Sequence, residues 1–274
     1  MIAKRSALIL GAMIGLGAMA PVQAADLGGG RGGSIKDDAM PALMAQSARL
    51  YVRVDGSYAS YDTPGLTEDH QFDLIDRSIS NNWSVGGGIG YYFNKNIRAD
   101  LTYEHRFNAD VSGSIADPNA TLGGSRKFGL KSDLYLANLY YDFDSRGRFT
   151  PYVGAGLGWV DHKTSAGTVQ DACGCTGTIA SGSGSSVAAA LMAGMSVNLT
   201  HRGPAAGTGE NYGGGETARN LYLDLGYRFL YLGDVSTGAV TATKPGPVTV
   251  VAADPTLTDI HAHEFRVGLR YDFR

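Results

Sequence analysis

The stretch "HEFRVGLRYDFR" (263–274) decides how the rest of the chain is read. Phe265, Val267, Leu269, Tyr271 and Phe273 share one parity, and Glu264, Arg266, Arg270 and Asp272 the other. Successive side chains of a strand point to opposite faces, so this is a β-strand with one apolar and one charged face. Most soluble strands turn the apolar face inward. Whether this one does depends on what its neighbours carry.

The same alternation recurs seven times upstream, at about 49–61, 82–93, 97–107, 133–143, 149–160, 186–199 and 220–231. In "IRADLTYEHRF" (97–107), Ile97, Ala99, Leu101, Tyr103 and Phe107 oppose Arg98, Asp100, Thr102, Glu104 and Arg106. With the closing segment the chain holds eight such strands. Connections after the second and fourth are short, and those after the first, third, fifth and seventh run to roughly 18 to 30 residues. The link after the sixth, 200–219, breaks that rhythm.

Collected over all strands, the polar face carries Arg53, Arg98, Arg106, Arg228, Arg266 and Arg270 with Asp55, Asp100, Glu104, Asp142, Asp224, Glu264 and Asp272. It holds no lysine, which an outer, solvated face would be expected to use. Arginine and carboxylate in near-equal number suit a closed, paired interior, because the guanidinium fork satisfies carboxylates bidentately. The apolar face sorts its aromatics to the strand ends. Trp83, Phe107, Trp159 and Tyr231 lie towards the long loops; Tyr91, Phe93, Tyr141, Tyr271 and Phe273 lie towards the short turns. Two aromatic girdles around an apolar band mark membrane interfaces. Strands of this length cross a bilayer when tilted, and closure is required because lipid cannot satisfy a free sheet edge. The expected fold is all-β: an eight-stranded antiparallel transmembrane β-barrel with short periplasmic turns and long extracellular loops.

Bulk properties agree. Of 274 residues only 18% are charged, glycine occurs 39 times, and the net charge of −3 gives no reason to expect nucleic acid. No run of eighteen apolar residues follows the first thirty, so no transmembrane helix is offered. The N-terminus has Lys4 and Arg5, an apolar stretch from Ala7 to Ala20, Pro21, and small residues leading to Ala24 and Ala25. That pattern predicts a secretory signal peptide over 1–24, cleaved after Ala24 or Ala25. A Gly- and Asp-rich periplasmic linker (25–48) and the barrel (49–274) follow.

The stretches "TPYVGAGLGW", "LYLDLGYRF" and "RVGLRYDF" resemble the small eight-stranded outer-membrane barrels of Gram-negative bacteria. Those include the OmpA-like transmembrane domain, the opacity-type surface proteins and related alphaproteobacterial outer-membrane proteins. The likeness covers about four-fifths of the chain and specifies an architecture rather than an activity. It implies that Arg266, Gly268, Tyr271 and Phe273 form the address read by the barrel-assembly machinery, with periplasmic chaperones escorting the chain. Arg274 departs from the family habit of ending on the aromatic.

Eight strands leave an interior just wide enough for side chains to fill. The arginine–carboxylate set is therefore expected to form a salt-bridged plug. A narrow porin-like channel for small solutes stays open as the alternative, because Gly86, Gly88, Gly90, Gly154, Gly156 and Gly158 face inward and would leave space or let bulky arginines from opposite strands fit. Outer-membrane lipid modification is the third reading. His105, His261 and His263 lie near the long-loop end, but no nucleophile–base–carboxylate set is readable. No enzymatic activity, metal or cofactor is expected. Cys173 and Cys175 are too few for a zinc site, and a disulfide across one residue would be strained. "GSGSS" and "TKPGPVTVVAADPT" have flexible-loop composition, although "VTVVA" offers a hairpin above the membrane. The expected role is envelope integrity, with lipopolysaccharide and outer-membrane lipid around the wall and the loops placed for cell-surface or host contacts.

Overall fold

In the computed structural model the described residues are 49–67, 73–116, 124–144, 147–171, 176–200, 220–243, 249–252 and 256–273. The signal segment with Ala24 and Ala25, the linker, Cys173, Cys175 and most of the 200–219 link lie outside them. The first strands in chain order are β1 (Leu50–Tyr61), β2 (Gly65–Thr67), β3 (Asp73–Ile79), β4 (Asn82–Tyr92), β5 (Ile97–Ala116), β6 (Gly124–Asp142), β7 (Phe149–Thr164) and β8 (Gly167–Asp171). They continue with β9 (Thr176–Ile179), β10 (Gly182–Asn198), β11 (Asn220–Tyr231), β12 (Val235–Ser236), β13 (Val240–Thr243), β14 (Thr249–Ala252), β15 (Thr256–Thr258) and β16 (His261–Asp272).

Eight of these form the wall. β1, β4, β5, β6, β7, β10, β11 and β16 pair antiparallel in that order. β16 then returns to β1 from Tyr51↔Asp272 to Tyr61↔Ala262, which closes the barrel. No described helix is long and apolar enough to cross a membrane.

The pleat is inside out in the membrane-spanning part. Large apolar side chains stand exposed on the outer face, among them Val54, Ile89, Leu101, Leu139, Leu157, Leu191 and Val267. Against water this outer band would be an aggregation surface; against lipid it is the solvated face.

Above the upper aromatics the sequence expectation needs correction. β5, β6, β7 and β10 run well past the ends read from periodicity, and the connection from β5 to β6 is mostly continued strand. "GSGSS" (182–186) is not a flexible loop but the start of β10, paired with β7 from Gly182↔Thr164 to Ser186↔Val160. The long connections hold eight further short strands. β3, β5, β6, β8, β9, β13 and β14 pair side by side into one extracellular sheet. β12, β15 and β2 make a second, three-stranded sheet. The β13–β14 pair is the hairpin offered by "VTVVA".

The reason is a change of solvent. Outside the bilayer the outer face meets water, so polarity must invert. Ala109, Val111, Phe128, Leu130, Val169, Ile179 and Val240 now point inward and are buried with Leu232, Val235, Leu257 and Ile260. Asp110, Lys127, Lys131 and Lys163 stand outside. A β-bulge between Arg106 and Ala109 makes the switch in β5. One extra residue shifts the parity, so that Val111 faces in and Asp110 faces out. Each large apolar side chain fully buried there contributes about 1.5–3 kcal/mol, enough together to order what composition alone would leave loose.

Candidate functional site: the filled lumen and its outer rim

All thirteen ionisable residues singled out from the sequence face the lumen, and each is buried. They divide into a lower and an upper group. In the lower group Arg53 of β1 holds Asp55 at 2.6 Å and Asp100 of β5 at 3.2 Å, and donates to the Tyr140 hydroxyl at 3.2 Å. Asp100 also accepts from Tyr51 at 3.0 Å and from Asn138 at 2.7 Å. Arg98 donates to Asp142 at 3.0 Å, and its guanidinium lies 4.1 Å from the Tyr140 ring centroid. Arg270 engages Asp224 at 3.0 Å and Asp272 at 3.1 Å, and lies 4.4 Å from the Tyr222 ring centroid. Arg266 sits 3.5 Å from Asp55.

The upper group is a closed four-membered ring of alternating charge. Glu104 pairs with Arg106 at 3.1 Å and with Arg228 at 2.6 Å, and both arginines reach Glu264. Arg106 further donates to Tyr61 at 2.8 Å, which in turn donates to Asn82 at 3.0 Å. Removing two such charges from water costs several kcal/mol each, so the ring is tolerable only because every charge meets two of opposite sign.

Periodicity missed the opposite wall. Leu134 and Leu136 of β6, Val160 of β7, Ala188, Ala190 and Met192 of β10 and Leu230 of β11 also face inward. Half the lumen is therefore apolar, and these residues merge upward into the core of the extracellular sheets. The signal was present in "DLYLANLYYDF" (133–143), which is apolar on both parities where it was assigned only one oily face.

The inward glycines are seats rather than openings. A Cβ on Gly154 would stand 2.5 Å from the Tyr140 ring, and one on Gly194 or Gly226 would meet Tyr152. Gly90 receives the Tyr51 ring and Gly156 the Asn138 amide, while Gly86 and Gly88 lie under Glu104 and Thr102. A Cβ on Gly158 would strike the Tyr135 carbonyl. Aromatic rings, more than arginines, fill the space beside them.

On the outer face Trp83, Phe107 and Trp159 are exposed at the upper level, and Phe93, Tyr141, Tyr271 and Phe273 at the lower; Tyr91 and Tyr231 are half-buried. The upper belt gains Tyr58, which packs on Trp83, and Tyr135, stacked on Trp159 at 5.2 Å. Just above, His105 Nδ1 meets Asp133 at 2.7 Å, and Asp133 also accepts from Tyr103 at 2.9 Å. His263 lies 3.3 Å from Asp62 and His261 stacks on Phe229. Inside the rim the buried His162 accepts from Ser132 at 2.7 Å through Nδ1 and donates through Nε2 to the Leu232 carbonyl at 2.9 Å. This serine–histidine pair escaped the sequence reading, but a backbone carbonyl stands where a carboxylate would orient the ring. Gly268 faces in beside Asp55, whereas Tyr271 and Phe273 face out.

Comparison with known proteins places this architecture. An uncharacterized protein of Brucella suis biovar 1 is 28% identical over 240 residues, covering 78% of this chain and 76% of its own. The outer membrane protein PagN of Salmonella typhimurium is 26% identical over 242 residues, covering 84% and 89%. Among solved structures, neisserial surface protein A (19% identity, TM-score 0.41) and OprG of Pseudomonas aeruginosa (12% identity, TM-score 0.44) each align with 82% of this chain and 97% of their own. The profile of the outer membrane protein beta-barrel domain family matches residues 39–273. With the lipid-facing band, the closed wall and that match, the chain belongs to the outer-membrane β-barrel domain family and resides in the outer membrane of a Gram-negative bacterium.

Proposed function

We propose that this is a non-enzymatic barrel that strengthens the envelope and carries an ordered extracellular head for contacts with other cells or a host. The observation that carries the reading is the closed ring of Glu104, Arg106, Glu264 and Arg228, with apolar side chains packed directly above it. A solute would have to part desolvated ion pairs and then an apolar layer, and the inward glycines supply no bypass. A rigid scaffold with large external sheets is where surface binding is placed. We further assign Arg266, Gly268, Tyr271 and Phe273 to recognition by the barrel-assembly machinery, with periplasmic chaperones guarding the apolar band beforehand.

The test is single-channel recording of the refolded barrel in a planar bilayer, with the heat-dependent gel shift as folding control. Folded protein is expected to stay silent at neutral pH, at physiological ionic strength and above it. Steady openings by folded protein would overturn the filled-lumen reading in favour of a small-solute channel.

A further inference from the structure

Met192 of β10 stands where the apolar wall of the lumen meets the charged one. It is 6% exposed, and two strong donors end on its sulfur. The Tyr140 hydroxyl donates to Sδ at 3.6 Å, and Arg266 Nη1 donates at 3.7 Å. A thioether is a weak acceptor, and a buried donor left poorly satisfied costs stability. Arg266 has little else. Its contact to Asp55 is 3.5 Å long, and its buried Nε has no hydrogen-bond partner. Yet the lumen holds seven carboxylates for six arginines, so oxygen acceptors were not scarce. A methionine that merely filled a gap would not need two polar groups aimed at its sulfur.

What these donors lack is an oxygen on the sulfur. Hydrogen peroxide supplies one: a sulfur lone pair bonds a peroxide oxygen, the O–O bond breaks, and water leaves. The sulfur is oxidised by two electrons to the sulfoxide and the peroxide is reduced. A sulfoxide oxygen accepts strongly, and on Met192 it would lie between Tyr140 and Arg266. We infer that Met192 is a site of S-oxidation by peroxide-class oxidants, and that the lumen accepts the sulfoxide as readily as the thioether. Oxidation falls on the unfolded chain during export, before the wall closes. Once the barrel is folded, the buried sulfur is out of reach of oxidant and of methionine sulfoxide reductase alike. Met195 makes the contrast: it stands 37% exposed in the lipid-facing band, where a sulfoxide would put an unsatisfied polar group into hydrocarbon. The inference rests on the contacts of Met192 and not on the proposed function, which channel recording tests separately.

The test uses chains with a single methionine after Ala24: M40L/M44L/M195L keeps Met192, and M40L/M44L/M192L keeps Met195. Each is oxidised with hydrogen peroxide while unfolded in urea, and mass spectrometry confirms the gain of one oxygen. Each is then refolded into lipid vesicles, with the heat shift as folding control, and unfolded again in urea beside its reduced form. Peroxide gives both sulfoxide epimers. In the Met192 chain, the fraction whose oxygen turns to the donors should refold and should unfold at no lower urea than the reduced chain. The oxidised Met195 chain should unfold at lower urea throughout. Adding Y140F to the Met192 chain keeps the ring but removes one donor, so its oxidised form should unfold before its reduced form. Reductases specific for each epimer, added to the refolded Met192 barrel, should leave its oxygen in place. An oxidised Met192 chain that fails to refold, or that unfolds wholly at lower urea than the reduced chain, would overturn the site. So would a Y140F chain that tolerates oxidation as well as its parent, or removal of the oxygen from the folded barrel.

Discussion

Glu264 is fully buried and touches two arginines, neither of which belongs to its own strand. Its cost and its value both follow from that position. Deleting one partner of a buried pair strands the other, at about 3–5 kcal/mol, whereas replacing both by apolar groups is often neutral. R228L is therefore expected to destabilise the barrel by about that amount, measured by urea unfolding in lipid vesicles. The double variant R228L/E264L, which leaves Glu104 paired with Arg106, should recover most of the loss. A double variant no better than R228L would sink the pairing argument. K95M at the exposed turn should leave unfolding unchanged, since surface pairs add little. Small residues matter as much. G154V would drive a branched side chain into the Tyr140 ring on a neighbouring strand and should cost about 1–3 kcal/mol by overpacking. Equal stability of G154V and the parent would mean that Tyr140 has somewhere else to go.

At the scale of elements, the membrane-spanning part was the legible part. Lipid imposes a strict two-residue alternation, and both ends of 220–231 read from that alternation agree with β11. Above the bilayer the same rule runs in reverse, and the bulge after Arg106 shifts the parity, so strands look like loops to a reader following one phase. The first residues of β10 hid for another reason: glycine is depleted in strands, and only pairing with β7 makes 182–186 a strand. Which charges face the lumen was readable because charge on an alternating strand has few places to go. The apolar wall of β6 was visible in a segment apolar on both parities, whereas the Ser132–His162 pair depends on how β6 and β7 pair, which no local pattern encodes. The pair gives this head a pH dependence of known sign. Burial pushes the His162 imidazole below its ordinary value, helped by Arg106, while the hydrogen bond to the Leu232 carbonyl and, less, Asp161 oppose. Below the unfolded-state pKa, about 6.5, the unfolded head then binds the extra proton and stability falls as pH drops. Proteolysis of the extracellular sheets should be faster at pH 5 than at pH 7.5. H162Q, which keeps one acceptor and one donor, should lose much of that dependence. An unchanged pH profile in H162Q would assign the effect to other groups.

The whole molecule joins two proteins of opposite polarity in one set of strands. Below the upper aromatic belt it is a lipid-solvated cylinder whose interior is charged along one wall and apolar along the other; above it, a water-solvated pair of sheets filled with hydrocarbon. The two interiors are continuous, since Leu134, Leu136, Val160 and Leu230 pass from one into the other. The wall itself closes only through β16, which pairs with β1 on one side and β11 on the other. That strand also supplies Glu264, Arg266, Arg270 and Asp272 to the lumen, so closure and filling depend on the same last segment. Removing residues 266–274 would open the edges of β1 and β11 to lipid, where unpaired backbone groups cost several kcal/mol each. It would also leave Asp55 without Arg266 and Asp224 without Arg270. The truncated chain should therefore be absent from the outer-membrane fraction and show no heat-modifiable band, while Y271A/F273A, which leaves the lumen intact, should refold in vesicles but reach the membrane poorly in cells. Normal assembly of Y271A/F273A in cells would separate the two roles of β16 and remove the assembly signal from it. A heat-modifiable product from the truncation would show that seven strands and the head suffice to hold the barrel shut.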